Sequence, residues 1–512
     1  MPNVTPQTQP PLASSEPRPA FAPARRMLRP GPLAGRYPAV AAMVVLFLVP
    51  YLALSAALQP ITPLISGTLH ISPQATSLAT GMANAAYAAG TVLAVQFAQR
   101  LPQRRMMLIY AVLLVIGSVL AAAATDAPMF IVGHILQGLC TSLLLIAAAP
   151  PLFLGYPAAK LRWTTMIMNM CIFGAVAAGP LIGGVMASFH AWRPLFWIAA
   201  GVALLALILA LLTFEDAPPA DRSAPKDSRA IALAAGGSVA AFWGASELTT
   251  HAFLDPVAIV PLLGGLALII VLWVYQYRGT RVLLTLRPLA STFPVAGIVV
   301  AVCAAAASVS AIALTSASLS TRYAPLHLGL LYLPELGGAL LASIAFGVVF
   351  SSKYIHYFAL FGMLCLAAGI LVIQGVVPPT AGLTLAGSAL IGVGVGASVV
   401  PALFLAGFSL RSASIQRVFA ILELMRAYAA FMIVPILLHF AVSLAGLPTE
   451  AMRTTLWICF GLAVGGTVVG VLLYVLGGTA PPAPSLDKFL GGSEPGWESP
   501  ALLARVRRRT SH

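Results

Sequence analysis

The chain has 512 residues, of which 60% are hydrophobic and 8% charged. Soluble domains run near a quarter charged, and a mean hydropathy of +0.95 leaves no water-soluble surface, so a soluble enzyme, a nucleic-acid-binding domain and a disordered scaffold are excluded as whole-chain readings. The net charge of +14, from 28 Lys+Arg against 14 Asp+Glu, is read as membrane orientation, because basic residues accumulate in cytoplasmic loops.

Residues 1–37 are Pro-rich and polar, with Arg25, Arg26, Arg29 and Arg36 near their end. The composition predicts a disordered cytoplasmic tail. No charged leader runs directly into an apolar core, so no cleaved signal peptide is expected. From Pro38 the apolar runs predict membrane helices at about 38–58, 76–97, 106–124, 129–153, 164–188 and 194–213. A polar linker follows at 214–229, with Pro218 and Pro219. Two further helices are predicted at about 230–249 and 257–276, within a segment 230–276. Six more lie within 277–478, at about 292–317, 327–350, 356–377, 381–409, 416–445 and 453–477. Residues 479–512 form a second, Pro-containing cytoplasmic tail that ends in Arg507, Arg508 and Arg509.

With both termini inside, 24 Lys and Arg fall on inner segments and three on outer loops, Arg193, Arg322 and Arg453; Arg426 falls inside a helix. That asymmetry predicts a multi-pass protein of the cell inner (plasma) membrane with both tails cytoplasmic and an even helix count. Fourteen helices would use roughly 280 residues; twelve would require two runs beside the linker not to span.

Several stretches stand in a characteristic order. RLPQRR contains Arg100 and Arg104 after the second helix. GHILQG carries His134, Gln137 and Gly138 in the fourth. GPLIGG supplies Gly179, Pro180, Gly183 and Gly184 in the fifth, where small residues permit close helix approach and proline bends the chain. AWRPLFWI follows from Ala191. In the second half come LYLPELGG from Leu331, GVGVGASVVP from Gly392 and ELMRAYAA from Glu423.

This ordered set resembles the major facilitator superfamily of transporters, and looks most like its fourteen-helix drug:proton antiporter branch, the EmrB/QacA type. GPLIGG matches the antiporter motif GPxxGG. Gln137 and Gly138 match RxxQG, with His134 in place of its Arg. Arg100 and Arg104 match the family's basic loop, where Val95, Gln99 and Pro102 replace Gly, Asp and Gly. Arg426 matches the Arg of NxxRQLGG. The first helix departs from the family: Leu54 fills the slot of an Asp and Gln59 that of an Asn. The Asp of helix one and the Arg of helix four are therefore both replaced, which avoids leaving one buried charge without a partner. The resemblance implies an all-α polytopic fold with 14 transmembrane helices, two six-helix bundles plus two extra helices.

Charged groups inside a membrane helix are costly and mark function by default. Glu335 follows Pro334 and falls roughly 12 Å into its helix, near mid-membrane. Glu423 and Arg426 are three apart, on one face, and can pair, either as a structural lock or as part of coupling. His134 titrates near neutral pH when unperturbed; it is read either as a buried polar group or as a coupling group. The proton-coupling candidates are Glu335, His134, Glu423 and Arg426; the cavity candidates are Asn84, Tyr87, Gln137 and Gln59. Glu247 is expected near the outer end of its helix. The five cysteines lie in apolar runs without ligand-like neighbours, and the eight histidines are scattered, so no metal site, cofactor or enzymatic centre is expected. No Gly-rich phosphate loop with Lys-Ser/Thr occurs, which argues against ATP. The expected function is proton-coupled efflux of hydrophobic or amphipathic small molecules of the multidrug type. The alternatives are export of an endogenous metabolite or weak acid, and a non-transporting sensor on a transporter fold. The implied partners are a small-molecule substrate, protons and the lipid bilayer, without nucleic acid. Some members of this branch also use a periplasmic adaptor and an outer-membrane channel.

Overall fold

A computed structural model describes residues 31–213, 226–279, 282–284, 286–443, 448–478, 480–492 and 494–505. Most of the N-terminal tail, most of the linker and Arg507 to Arg509 lie outside the described residues. Thirteen helices within them are long and apolar enough to cross a membrane. In the first half these are α1 (Tyr37–Leu69), α2 (Pro73–Arg100), α3 (Gln103–Ala122), α4 (Ala127–Leu154), α5 (Ala158–Ser188) and α6 (Arg193–Thr213). Helix α7 (Ser228–Glu247) is not among the thirteen, and α8 (Pro256–Arg278) is. The second half contains α9 (Thr292–Leu319), α10 (Pro325–Val349), α11 (Ile355–Gln374), α12 (Ala381–Phe408), α13 (Ser412–Val442) and α14 (Pro448–Gly477). The fourteen predicted spans thus reduce to thirteen by length and apolarity. Helix α7 falls short because Ala, Gly and Ser fill it. Those small residues are used in packing: a Cβ on Gly244 would collide with the Ala258 carbonyl and Leu262 of α8, and one on Gly237 would press Ile269.

Local chemistry sets the ends. Helix α1 runs eleven residues past its predicted end, through Pro60 and Pro63, and stops where His70 turns left-handed at φ 53°. Prolines persist inside such helices because packed neighbours re-satisfy the backbone they free. Ser72 then caps α2 by accepting from the Ala75 amide, with Pro73 in the first turn, where a missing N–H costs least. Asp126 caps α4 through the Met129 amide in the same way. Residues 31–36 form a turn in which the Leu33 amide reaches the Leu212 carbonyl at the end of α6.

Helices α1–α6 pack on one another, as do α9–α14. The two sets meet through α5 against α10 and through α2 against α13, while α7 lies along α2 and carries α8 on its far side. At the first contact, Cβ atoms on Gly179 and Gly183 would collide with Ala56 and Ala57 of α1, and one on Gly184 with the Pro325 carbonyl of α10; opposite, a Cβ on Gly329 would meet the Pro180 carbonyl at 2.7 Å. The GPLIGG motif is therefore the surface on which α5 approaches both α1 and α10. Gly179→Leu is expected to leave membrane insertion intact and to block the transport that the family resemblance implies, because the backbones can no longer approach. Wild-type transport by a normally inserted variant in a vesicle assay would show the motif to be dispensable.

Candidate central cavity and polar cluster

Two π-helical turns interrupt helices at the contacts between the two sets: Tyr428–Met432 in α13, where it meets α2, and Met170–Gly174 in α5, where it meets α10. Such insertions occur frequently at functional sites, because they re-aim the side chains that follow. The turn in α13 comes directly after Arg426 and sets Phe431 beneath both Arg426, 5.6 Å from the ring centre, and Tyr87, in an edge contact at 5.9 Å.

Glu423 and Arg426 pair as their spacing requires. The Arg426 Nε donates to both carboxylate oxygens at 2.9 Å, and its Nη2 also pairs with Glu423 Oε1. Tyr87 of α2 donates its hydroxyl to Glu423 Oε1 at 2.6 Å and accepts from Arg426 Nη2 at 3.3 Å. All three are buried, at 6%, 2% and 1% exposure, so the pair's desolvation is offset by near-complete hydrogen bonding. Arg426 is the one buried Lys or Arg among the described residues. A row of rings continues into the first half. Tyr87 stacks on Tyr51 at 5.8 Å, Tyr51 donates to Asn84 Oδ1 at 3.1 Å, and Tyr51 lies 5.8 Å from His134. His134 Nδ1 donates to Gln137 Oε1 at 3.1 Å, and Gln137 Nε2 donates to Ser118 at 3.1 Å. The Nε2 of His134 is buried without a partner, between Phe130 and Tyr51.

Glu423 also forms one wall of a narrow cavity of about 40 Å³ between the two sets of helices. The other walls are apolar: Phe153 of α4, Met168 and Ile172 of α5, Phe404 of α12 and Phe419 of α13 among them. That volume holds a water; a drug-sized ligand needs about 300 Å³ or more, so admitting one requires the two sets of helices to part.

Glu335 stands apart from this cluster, at a break in α10. Its amide turns to the Tyr332 carbonyl at 3.0 Å. Pro334 cannot donate to the carbonyl one turn back, and the Leu331 carbonyl, which the Glu335 amide forgoes, accepts from Ser388 of α12 at 3.2 Å. Tyr332 braces the break by donating to Thr315 of α9 at 2.7 Å. Glu335 is buried, and its Oε2 has no hydrogen-bond partner. A Cβ on Gly392 would collide with the Glu335 carbonyl, so the GVGVG stretch is what lets α12 close over this residue.

The structure thus brings together Glu423, Arg426, Tyr87, Asn84, His134 and Gln137. It leaves Gln59 exposed on α1, two turns beyond Tyr51. Arg100 ends α2, and Arg104 lies half-buried at the start of α3 with its Nε unpartnered. Glu247 ends α7 and is buried there: it accepts from Gln74 Nε2 of α2 at 2.8 Å and lies 3.7 Å from His251. Asp255 caps α8, and the Val257 amide and His251 hold its carboxyl below the usual range. Sequence reasoning missed Asn169, whose Nδ2 crosses from α5 to the Gly396 carbonyl of α12 at 2.7 Å; a lone amide in an apolar run was the available signal. It also missed the aromatic walls, which apolar patterning does not distinguish from packing.

The fold matches a crystal structure of peptide transporter POT, with a TM-score of 0.58 at 15% identity, over 85% of this chain and 94% of that one. Among curated relatives, the Tetracenomycin C resistance and export protein of Streptomyces glaucescens is 29% identical over 184 residues, 36% of this chain and 34% of the relative. The Lincomycin resistance protein LmrB of Listeria monocytogenes is 28% identical over 161 residues, 31% of this chain and 33% of the relative. The MFS-type transporter poxA of Penicillium oxalicum is 31% identical over 160 residues, 29% of this chain and 26% of the relative. The chain thus spans about a quarter to a third of the length of these relatives. The description Major Facilitator Superfamily matches residues 41–370, more than half of the chain, and this protein belongs to that family of multi-pass membrane transporters.

Proposed function

We propose that the chain is a secondary active exporter of hydrophobic or amphipathic small molecules, coupled to protons and resident in the cell inner membrane. The observation that carries this reading is the Tyr87–Glu423–Arg426 joint: charged groups tie the two sets of helices together beside an apolar, aromatic-walled cavity. A site of that kind rewards lipophilic ligands, and breaking and remaking the joint accompanies the rocking of one bundle against the other. The export and resistance names of the relatives support the direction of transport. Glu335 is the proton carrier in this scheme, with His134 or Glu423 as accessory group.

The domain division in this reading is two bundles at 38–213 and 277–478 with α7 and α8 inserted between them, and the packing of α1–α6 and of α9–α14 among themselves supports it. Helix α7 serves as a fourteenth span. It is pinned to both ends of α2, by Glu247 to Gln74 and by the Asp227 amide to Gln96 Oε1 at 2.8 Å. Its 20 residues cover about 30 Å, the thickness of the hydrocarbon core. Both termini then lie on the cytoplasmic side. Single cysteines at His190 and Lys488 on a cysteine-free background test this: an impermeant maleimide added outside whole cells is expected to label position 190 and spare 488. Labelling of 488 from outside overturns the orientation.

Arg426, as the one buried cation among the described residues, favours a second reading, export of a weak organic acid. Inverted vesicles carrying the protein separate the two. Proton-driven accumulation of a lipophilic fluorescent dye, abolished by a protonophore, supports the first; accumulation of aromatic carboxylates without the dye supports the second. Accumulation of neither class points to a non-transporting role.

A further inference from the structure

The segment after α14 does not trail away from the bundle. Residues 480–492 and 494–505 fold across the end formed by the C-termini of α4, α10 and α12, the end that the proposed orientation places inside. Two of their side chains, Phe489 and Trp497, are as buried as the core, at 0% and 1% exposure. The segment also supplies what two helix ends lack. The Gly496 and Trp497 amides donate to the Phe408 carbonyl at the end of α12, at 2.8 and 3.3 Å. At the start of α9, the Thr292 amide donates to the Pro500 carbonyl at 3.0 Å and the Phe293 amide to Ser499 Oγ at 2.9 Å. Terminal helix carbonyls and amides have no partner within their own helix, so these bonds fasten the segment to the second bundle. An internal bond from Trp497 Nε1 to the Pro482 carbonyl at 2.9 Å and a bridge between Ser291 and Ala501 hold its shape.

The buried rings rest on the closure between the bundles. Phe489 stacks on Phe408 at 4.3 Å, and Trp497 lies 6.3 Å from both Phe408 and Phe350. Phe408 in turn meets Phe153 of α4, in the first bundle, at 6.2 Å, and Phe153 packs on Phe404 at 5.1 Å. Phe153 and Phe404 are walls of the central cavity. One unbroken set of aromatic contacts therefore runs from the terminal segment to the cavity. Toward the first bundle, Leu486–Leu490 packs on the start of α5 beside a cavity of about 530 Å³ lined by residues 484–488 and by Ala158, Ala159 and Arg162.

We propose that the C-terminal segment is an autoinhibitory strap that seats Phe408 and Phe350 beneath Phe153, holds the inner mouth shut, and must leave α12 before the cavity opens on that side. The helix-end hydrogen bonds that fasten it all reach the second bundle, so it biases closure without welding the halves together.

The test reads accessibility rather than transport, so it stands apart from the identity of the substrate and of the coupling ion. Ala149, a cavity wall, is replaced by cysteine on a background lacking Cys140, Cys171, Cys303, Cys365 and Cys459. Labelling by an impermeant maleimide is timed in inverted vesicles. Ending the chain after Gly478 is expected to speed labelling, and Phe489→Ala, which keeps the backbone bonds and removes one stacked ring, to raise the rate roughly threefold to tenfold. Should the shortened chain fail to fold, Phe489→Ala alone decides. An unchanged labelling rate in that properly inserted variant overturns the strap, as does a slower one.

Discussion

Glu335→Gln is expected to reduce proton-driven accumulation in inverted vesicles to the level of empty vesicles while substrate binding survives. Glutamine keeps the size and much of the hydrogen bonding of glutamate but cannot ionise. Glu335 is buried, has no ion-pair partner among the described residues and leaves Oε2 without a hydrogen bond; Glu423, by contrast, is tied to Arg426 and Tyr87. A proton carrier must release and reload, and a carboxyl free of a permanent cation is suited to that. Its setting adds mobility, since the backbone break at Tyr332–Glu335 is patched by Ser388 rather than by the helix itself. The measurement is dye uptake against an imposed pH gradient, paired with equilibrium binding of the same dye. Undiminished accumulation with an unchanged pH dependence would falsify the assignment and leave Glu335 as a structural acid at a helix break.

Removing one partner of the joint is expected to cost stability first. Glu423→Ala strands the Arg426 guanidinium at 2% exposure, and breaking a buried pair in this way costs about 3–5 kcal/mol. Thermal unfolding in detergent is expected to shift well below that of the parent protein. Replacing both partners, Glu423→Leu with Arg426→Met, removes the stranded charge, and buried pairs exchanged for apolar residues of similar volume are often neutral or stabilising. The double variant is therefore expected to unfold near the parent temperature and still to fail in transport, because Tyr87 loses both polar partners across the boundary and keeps only its edge contact with Phe431. Tyr87→Phe, which removes one hydroxyl and its bonds to the charged Glu423 and Arg426, is expected to cost about 1.5–3 kcal/mol and to slow turnover. Full transport by a stable double variant would reduce the joint to packing.

Thirteen of the fourteen predicted spans were legible from composition alone, because hydrocarbon admits only long apolar segments that satisfy their own backbone. The small residues of GPLIGG announced a close helix contact for an equally local reason: only glycine leaves room for a neighbouring backbone. The spacing of Glu423 and Arg426 announced their pairing, since residues three apart share a helix face. Other features depended on contacts that no sequence window contains. Tyr87 reaches Glu423 across 336 residues of chain, and Ser388 patches a carbonyl 57 residues away. Helix α7 reads as weakly apolar because its small residues are used against α2 and α8, a fact visible only once those helices are beside it. The terminal segment reads as a polar, Pro-containing tail, since two aromatic residues among glycines and prolines carry no periodicity; its burial is decided by the free helix ends and the ring of Phe408 that the assembled bundle brings to it. Local apolarity and spacing determined which segments enter the membrane and which faces they share, whereas the meeting of polar groups across the two bundles was decided by tertiary packing, because a buried charge is tolerated only where distant partners arrive to satisfy it.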